Sequence, residues 1–95
     1  MINLEYYNIN FERSKETGDI IIRGEVSNKT AKSYAAIALR MIIFVKNIAI
    51  ANVIILINGL NAGTTKGFEK IVEDLKYDGI AKDIKRYEIY LESAY

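Results

Sequence analysis

The chain of 95 residues contains no cysteine, no histidine, no proline and no tryptophan. Without cysteine, disulfides and thiol chemistry are excluded, and the sequence does not report the redox environment of the protein. Without histidine, the protein lacks the most common general base and the most common metal ligand.

A strong charge of either sign is also missing. Lysine and arginine number 13 and aspartate and glutamate 12, which gives a net charge of +1. Nucleic-acid-binding domains usually carry a clustered basic face, so we expect no nucleic-acid partner. Hydrophobic residues make up 51% and charged residues 26% of the chain, a balance typical of globular proteins.

The length of the chain corresponds to one domain with one modest core, and we expect residues 1–95 to form a single β-sandwich domain. The first residues lack the charged and apolar segments of a signal peptide. Strand-like patterns begin close to Met1 and run nearly to Tyr95, whereas native chains usually carry frayed tails. We therefore expect this domain to be excised from a longer protein.

The clearest local pattern lies in residues 18–28, between two polar turns. Successive residues there fall on opposite faces of an extended chain. One face carries Ile20, Ile22, Gly24 and Val26, and the other carries Ile21, Arg23, Glu25 and Ser27. A period of two with β-branched residues predicts a half-buried strand. We expect this strand to be central to its sheet.

Further strand-like segments are bounded by polar turns and comprise residues 4–12, 34–46, 48–57, 64–72 and 85–93. Residues 48–57 are compatible with one strand or with two short ones. Turns are predicted at Lys46-Asn47, at Asn58-Gly59 and at residues 60–63. About seven short antiparallel strands without a βαβ rhythm predict an all-β fold, an immunoglobulin-like β-sandwich with Greek-key connections.

Residues 34–45 are also compatible with a helix, because alanine, leucine and methionine favour helices. Their sustained apolar alternation favours a strand instead. Residues 35–57 are apolar enough to resemble a membrane span, but Arg40 and Lys46 would each cost roughly 2.5–3.5 kcal/mol at the bilayer centre. We expect no transmembrane span within this chain.

Residues 73–83 are predicted to form a long loop with at most one helical turn. Carboxylates are frequent in this segment, at Glu73, Asp74, Asp78 and Asp83. Their spacing matches no EF-hand loop, and lysines lie among them. We favour a solvated loop of mixed charge, with calcium binding as the alternative.

No constellation of residues predicts catalysis. Glu88 and Glu92 would lie about 13 Å apart along one face of a strand, beyond the separation that glycosidase carboxylates require. Residues 59–66 lack the spacing of a phosphate-binding loop and lead into a strand rather than a helix. The serines have no histidine partner. We predict no enzyme activity, no catalytic residue, no cofactor and no metal.

Asn28, Lys29 and Thr30 match the acceptor pattern for N-glycosylation. An asparagine at this type of position also hydrogen-bonds its own backbone in a turn. Since the tripeptide is short and common, we favour the turn.

The seven tyrosines are expected to divide between core and surface. Tyr7, Tyr34 and Tyr87 are predicted to pack in or near the core, with the hydroxyl at its rim. Tyr6 and Tyr90 are predicted to point outward. Outward tyrosines can form a recognition face, although we favour cross-strand pairing for them.

Apolar residues fall on both faces of several strands, as at Ile21, Ile42, Phe44 and several positions of 48–57. A sandwich exposes one face of each sheet to water, so some of these residues need cover. A second copy, a neighbouring domain or the loop at residues 73–83 could supply this cover, and we predict a protein partner. The possible interaction surface includes Tyr6, Phe44 and Tyr90.

Three pieces of the sequence occur in the order seen in one family of β-sandwich domains. Residues 18–28 resemble the pattern G-x-x-x-x-x-G-x-V-x-N, residues 41–45 stand where the family carries Phe-x-Leu-Tyr-Asp, and residues 60–68 resemble L-x-P-G-x-x-x-x-F. Over residues 4–93 the chain resembles the FxLYD family of bacterial and archaeal domains, which is similar to the water-stress sandwiches of late-embryogenesis-abundant proteins. The resemblance implies an immunoglobulin-like fold whose motif positions are structural, namely Gly24, Val26, Asn28, Leu60, Gly63 and Phe68.

The resemblance also implies a place at the cell envelope, within a larger lipoprotein or membrane-anchored chain. We therefore predict a non-enzymatic structural or protein-interaction module with an extracellular or envelope location. One alternative is a stand-alone stress-protective domain, cytoplasmic in location, that makes weak contacts with unfolded proteins or membrane surfaces. A ligand- or calcium-binding sandwich that uses residues 73–83 is the third possibility.

Overall fold

The computed structural model describes residues 3–95, and the regular elements in that range are strands apart from one short helical turn. The 3₁₀ turn, Ala81–Asp83, lies just before the last strand. The six strands are β1 (Leu4–Arg13), β2 (Asp19–Asn28), β3 (Tyr34–Val45), β4 (Ile48–Leu60), β5 (Thr65–Lys76) and β6 (Ile84–Ala94). The predicted all-β fold is confirmed.

The strands form two antiparallel sheets, in the orders β1-β2-β5 and β4-β3-β6. Two hairpins, β1-β2 and β3-β4, stay within a sheet, and the other connections cross from one sheet to the other. This order corresponds to strands A-B-E and C′-C-F of an immunoglobulin-like sandwich. The predicted number of seven strands is wrong by one within the described residues, because the segment that allowed two short strands forms a single one, β4.

β2 is the centre of its sheet, with β1 and β5 paired to its two sides. Ile20, Ile22 and Val26 are fully buried, whereas Arg23 and Glu25 lie on the outer face. β-Branched side chains suit a pleated surface that packs on one side. The predicted central strand and its inward face are confirmed. The strand is more than half-buried, however, because Ile21 and Ser27 on the other face are only 8% and 2% exposed.

β3 is the centre of the second sheet. Ile37, Leu39, Met41 and Ile43 point inward, and each is at most 1% exposed. They join the inward residues of β2 in the hydrophobic core. The strand prediction is confirmed and the helical alternative is wrong, because burial of every second residue requires a period of two and outweighs helix propensity.

Lys46 and Asn47 join β3 to β4 in the predicted tight turn, with Val45 paired to Ile48. Lys46 has a φ angle of 57°, in the left-handed region that residues other than glycine rarely adopt. The hairpin therefore contains one strained residue, Lys46, and a substitution that relieves this strain should stabilise the domain.

The turn predicted at Asn58-Gly59 is wrong, because both residues lie inside β4. The chain reverses at residues 61–63 instead, where Gly63 has a φ of 75° and its amide donates to the Asn28 carbonyl at 2.9 Å. The second of the two adjacent turn signals is therefore the one that the fold uses.

A bulge in β1 exchanges the faces of two tyrosines. The β1–β2 ladder shifts between Tyr7 and Asn10, and Asn8 takes a φ of 53°. Before this shift, Tyr6 packs against the core and Tyr7 is 41% exposed. The predicted directions are wrong for both tyrosines, because the inserted residue reverses the alternation.

β5 continues farther than predicted. Residues 73–76, expected in the loop, belong to this strand, and Asp74 adopts a φ of 64° at a register shift. The strand is anchored at its end by the Lys76 ammonium, which lies 2.7 Å from the Asp19 carboxylate. The loop prediction is wrong for these four residues, whereas the expected helical turn corresponds to Ala81–Asp83.

Candidate interaction surface

Asn28 is completely buried at the end of β2, and its side chain is fully hydrogen-bonded. Its Oδ1 accepts from the amide and the hydroxyl of Thr30, at 2.9 and 2.7 Å. Its Nδ2 donates to the carbonyl oxygens of Lys32, at 2.8 Å, and Leu60, at 3.1 Å. Asn28 therefore fastens the β2–β3 connection to the end of β4. The predicted turn is confirmed, and this buried amide is inaccessible to glycosylation in the folded domain.

Gly24 lies where β2 passes beneath two apolar side chains. A Cβ at this position would overlap Cδ1 of Ile9 and lie 2.7 Å from Cζ of Phe68. The structure thus brings Gly24 and Phe68 together as packing partners. The remaining motif residues lie in the core or in a turn, namely Val26 and Leu60, which are at most 1% exposed, and Gly63.

The outer face of the sheet β4-β3-β6 carries an exposed apolar patch. Leu56 is 74% exposed, Tyr90 45% and Ile54 38%. Ile42 and Phe44, outward residues of β3, lie between the two edge strands and are half-buried. We call these five residues the outer patch. Apolar surface grouped in this way, with polar neighbours, is typical of interaction sites.

Arg40 lies in the middle of the outer patch, between Ile54 on β4 and Tyr90 on β6. Its guanidinium donates to the Glu92 carboxylate at 2.7 and 2.9 Å and also bonds Oδ1 of Asn52. Hydrogen bonding with Glu92 raises the pKa of Arg40, and the same bonds lower the pKa of Glu92. Because the two charges neutralise each other, the centre of the patch carries little net charge.

One end of the outer patch is already covered. The Arg86 guanidinium lies 3.7 Å from the centre of the Phe44 ring, and it donates to Glu88 at 2.8 Å. Cation–π contact of this kind screens the ring from other partners. The available apolar surface is therefore concentrated on β4, at Ile54 and Leu56.

The outer face of the sheet β1-β2-β5 has a different character. Arg23 forms ion pairs with Glu12 at 2.9 Å and with Glu69 at 2.7 Å. This cluster borders a shallow open cleft whose floor includes Ile21 and Ile71. Ile21 is only 8% exposed, although Ile71 is 45% exposed. This face presents paired charges, in contrast to the aliphatic surface of β4.

Of the three residues predicted for the interaction surface, the structure brings Phe44 and Tyr90 together on the outer patch. Tyr6 lies in the other sheet and packs against the core, where burial raises the pKa of its hydroxyl. Ile54 and Leu56 were anticipated only as members of an apolar segment. The sequence indicated only that apolar residues occupy both faces of residues 48–57. Which of them are exposed depends on the position of β4 at the edge of its sheet.

Tyr34 lies in the core, as predicted, whereas Tyr87 is more exposed than predicted. Tyr34 is 7% exposed. Tyr87 is 38% exposed and packs edge-to-face on Phe11 of the opposite sheet, with ring centres 5.9 Å apart. These two tyrosines help to join the sheets and do not contribute to the outer patch.

The carboxylates of residues 73–83 do not gather around one point. Asp78 lies 3.3 Å from the Arg13 guanidinium, and Asp74 lies in the irregular part of β5. Among residues 3–95, no three acidic side chains are arranged to hold a metal ion.

From residue 3 to residue 95, the structure contains no helix with the length and hydrophobicity that a membrane crossing requires.

No family model matches the chain, and no curated protein or solved structure is detectably similar to it. The FxLYD resemblance therefore stays a prediction, supported by its three sequence pieces. What the domain does has to be inferred from its own surface.

Proposed function

We propose that this domain is a non-enzymatic structural or protein-interaction module that binds protein through the outer patch. The observation that supports this most strongly is the exposure of Ile54 and Leu56 on a face whose central charges neutralise each other. Removing such aliphatic side chains from water stabilises a complex by roughly 25 cal/mol per Å² of apolar area. The ionic cluster on the opposite sheet offers no comparable gain.

The backbone beneath the outer patch is held in place before binding. β3 is hydrogen-bonded on both sides, to β4 and to β6, and Arg40 is fixed by its bonds to Glu92. A surface that is already ordered loses less conformational entropy when a partner binds. Tyrosine and arginine are also enriched in the buried centres of protein interfaces.

The envelope setting of this proposal comes from the FxLYD resemblance. In a longer envelope-associated protein, a neighbouring domain or another chain would cover the outer patch. The apolar surface is compatible with either arrangement, because both remove the same side chains from water.

Photo-crosslinking in the source cells tests this proposal. A benzophenone amino acid replaces Leu56, and the matched control carries it at Tyr7, which is 41% exposed on the outer face of the other sheet. We expect protein cross-links from position 56 in clear excess over those from position 7, identified by mass spectrometry. Equal yields at the two positions, or none at position 56, would contradict the proposal.

A further inference from the structure

We infer that the outer edge of β4 pairs, antiparallel, with the same edge of a second copy of this chain, centred on Ile55. This inference rests on the proposed function, because Ile54 and Leu56 of the outer patch would contact each other across the pairing. It adds the identity of the partner and the register of the contact.

The edge of β4 is open and regular. Among the described residues, β3 is the one strand that pairs with β4, and unpaired backbone groups along such an edge are a template for an added strand. The ladder with β3 is uninterrupted over residues 51–58. Beyond this stretch, the Lys66 ammonium bonds the carbonyls of Asn58 and Gly59. The open stretch therefore ends at residue 58, whose carbonyl this ammonium contacts.

β4 differs from the other edge strands in its lack of charge. Charged side chains on an edge strand prevent unwanted pairing, and natural sheets use them widely. The strand β4 contains no charged residue from end to end, whereas the edge strands β1, β5 and β6 carry Glu5 and Glu12, Glu69 and Lys70, and Arg86 and Glu88, respectively. Of the edges in residues 3–95, β4 is the one best suited to pairing.

The sequence of β4 is nearly the same in both directions about Ile55, where residues 52–58 read Asn-Val-Ile-Ile-Leu-Ile-Asn. Two antiparallel copies centred there match every side chain with one of similar character. Each residue of this stretch faces one in the second copy, with Ile55 opposite Ile55, Ile54 opposite Leu56, Val53 opposite Ile57 and Asn52 opposite Asn58.

This register is favoured over its neighbours. Moving the centre by one residue, to Ile54 or Leu56, would place an asparagine opposite an aliphatic side chain. A register that places Ile55 opposite Ile54 or Leu56 would pair inward residues with outward ones. Directly opposed residues of two paired strands lie on the same face of the sheet, so this register is excluded. The centred register also brings Leu56, 74% exposed in the single chain, against Ile54 of the second copy on both sides of the two-fold axis.

Sedimentation equilibrium tests the pairing on the purified chain, over concentrations from roughly 10 μM to 1 mM. We expect the mass to rise from that of the 10.8 kDa chain towards twice that value. Leu56→Lys should raise the concentration needed for dimerisation about tenfold or more, because it removes the aliphatic contact with Ile54 of the second copy and places like charges on the two paired edges. Ile71→Lys, at an aliphatic side chain that is 45% exposed on the edge strand β5 of the other sheet, is the matched control and should leave dimerisation unchanged.

Disulfide formation between introduced cysteines tests the register. The chain has no cysteine of its own, so no other disulfide can form. Directly opposed residues have Cβ atoms about 4.5–5.5 Å apart, near disulfide distance. A mixture of Ile54→Cys and Leu56→Cys proteins should therefore cross-link several-fold more than either variant alone. A mixture of Glu88→Cys and Tyr90→Cys proteins on β6 should show no such preference.

A wild-type chain that stays at the monomer mass throughout, or cysteines that cross-link without preference, would overturn the inference. If that monomer still cross-links to a different protein from position 56 in cells, the proposed function stands and only the identity of the partner is wrong. If the chain neither dimerises nor cross-links to a protein from position 56, the inference and the proposed function are both wrong. Circular dichroism of each variant confirms that a loss of dimer is not a loss of fold.

Discussion

Alanine at position 24 is predicted to destabilise the domain through overpacking. The new Cβ would overlap Cδ1 of Ile9 and approach Cζ of Phe68 to 2.7 Å, so at least one neighbour has to move. Overpacking of a core typically costs about 1–3 kcal/mol. The reduced freedom of the unfolded chain offsets roughly 0.4–1 kcal/mol of this. We therefore expect Gly24→Ala to lower the free energy of unfolding by about 1–2 kcal/mol.

Urea denaturation and thermal melting measure this loss. For a domain of this size the melting temperature should fall by about 4–16 °C. Gly67→Ala is the matched control, because Gly67 lies on the neighbouring strand and its added Cβ would meet nothing closer than 3.9 Å. That variant should stay within about 0.5 kcal/mol of the wild type.

A double-mutant cycle identifies the cause. Ile9→Val removes the Cδ1 atom that alanine 24 would overlap, so the two changes together should cost less than the sum of their separate effects. Equal effects of alanine at positions 24 and 67, or strict additivity in the cycle, would refute the packing explanation.

Three further predictions concern stability. Asn28→Ala should lower the unfolding free energy by about 2–4 kcal/mol in urea denaturation, because it leaves buried hydrogen-bonding groups unpaired; full stability would contradict the role assigned to this side chain. Lys46→Gly should raise the melting temperature, with a gain of up to about 1 kcal/mol, because glycine tolerates the φ of 57°; no gain would show that the turn is not strained. Hydrogen bonding to Lys76 lowers the pKa of Asp19. The ionised Asp19 carboxylate therefore stabilises the folded state fully above its unfolded pKa of about 3.9, and this stabilisation is lost as the pH falls through the lower folded pKa. Asp19→Asn should flatten the acid side of the pH–stability curve, and an unchanged curve would refute this coupling.

The central strands were predictable because local pattern and burial agree in them. In β2 and β3, apolar residues recur at every second, inward position, and each strand is paired on both sides, so these residues are uniformly buried. The edge strands were harder to predict. The bulge at Asn8 depends on how β1 docks on β2. Asparagine tolerates the left-handed region, but the alternating pattern around Asn8 does not indicate that it adopts this conformation. A period-two pattern therefore placed Tyr6 and Tyr7 on the wrong faces.

The candidate surface was predictable only in outline. Apolar residues on both faces of residues 48–57 indicated a need for cover, but the identity of the exposed residues depends on sheet order. β4 is an edge strand because it pairs with β3 on one side only, whereas β3 lies between β4 and β6. The ion pair of Arg40 with Glu92 joins residues that are distant in sequence, so no local pattern could reveal that the centre of the patch is neutralised.

Amide hydrogen exchange along β4, at roughly 10 μM and 1 mM protein, tests most directly whether this strand is the binding edge. Pairing converts exposed amides into hydrogen-bonded ones, which exchange more slowly. Self-association through β4 predicts slower exchange at high concentration in residues 52–58, with unchanged rates in the edge strands β1 and β6. Identical rates in residues 52–58 at both concentrations would contradict it.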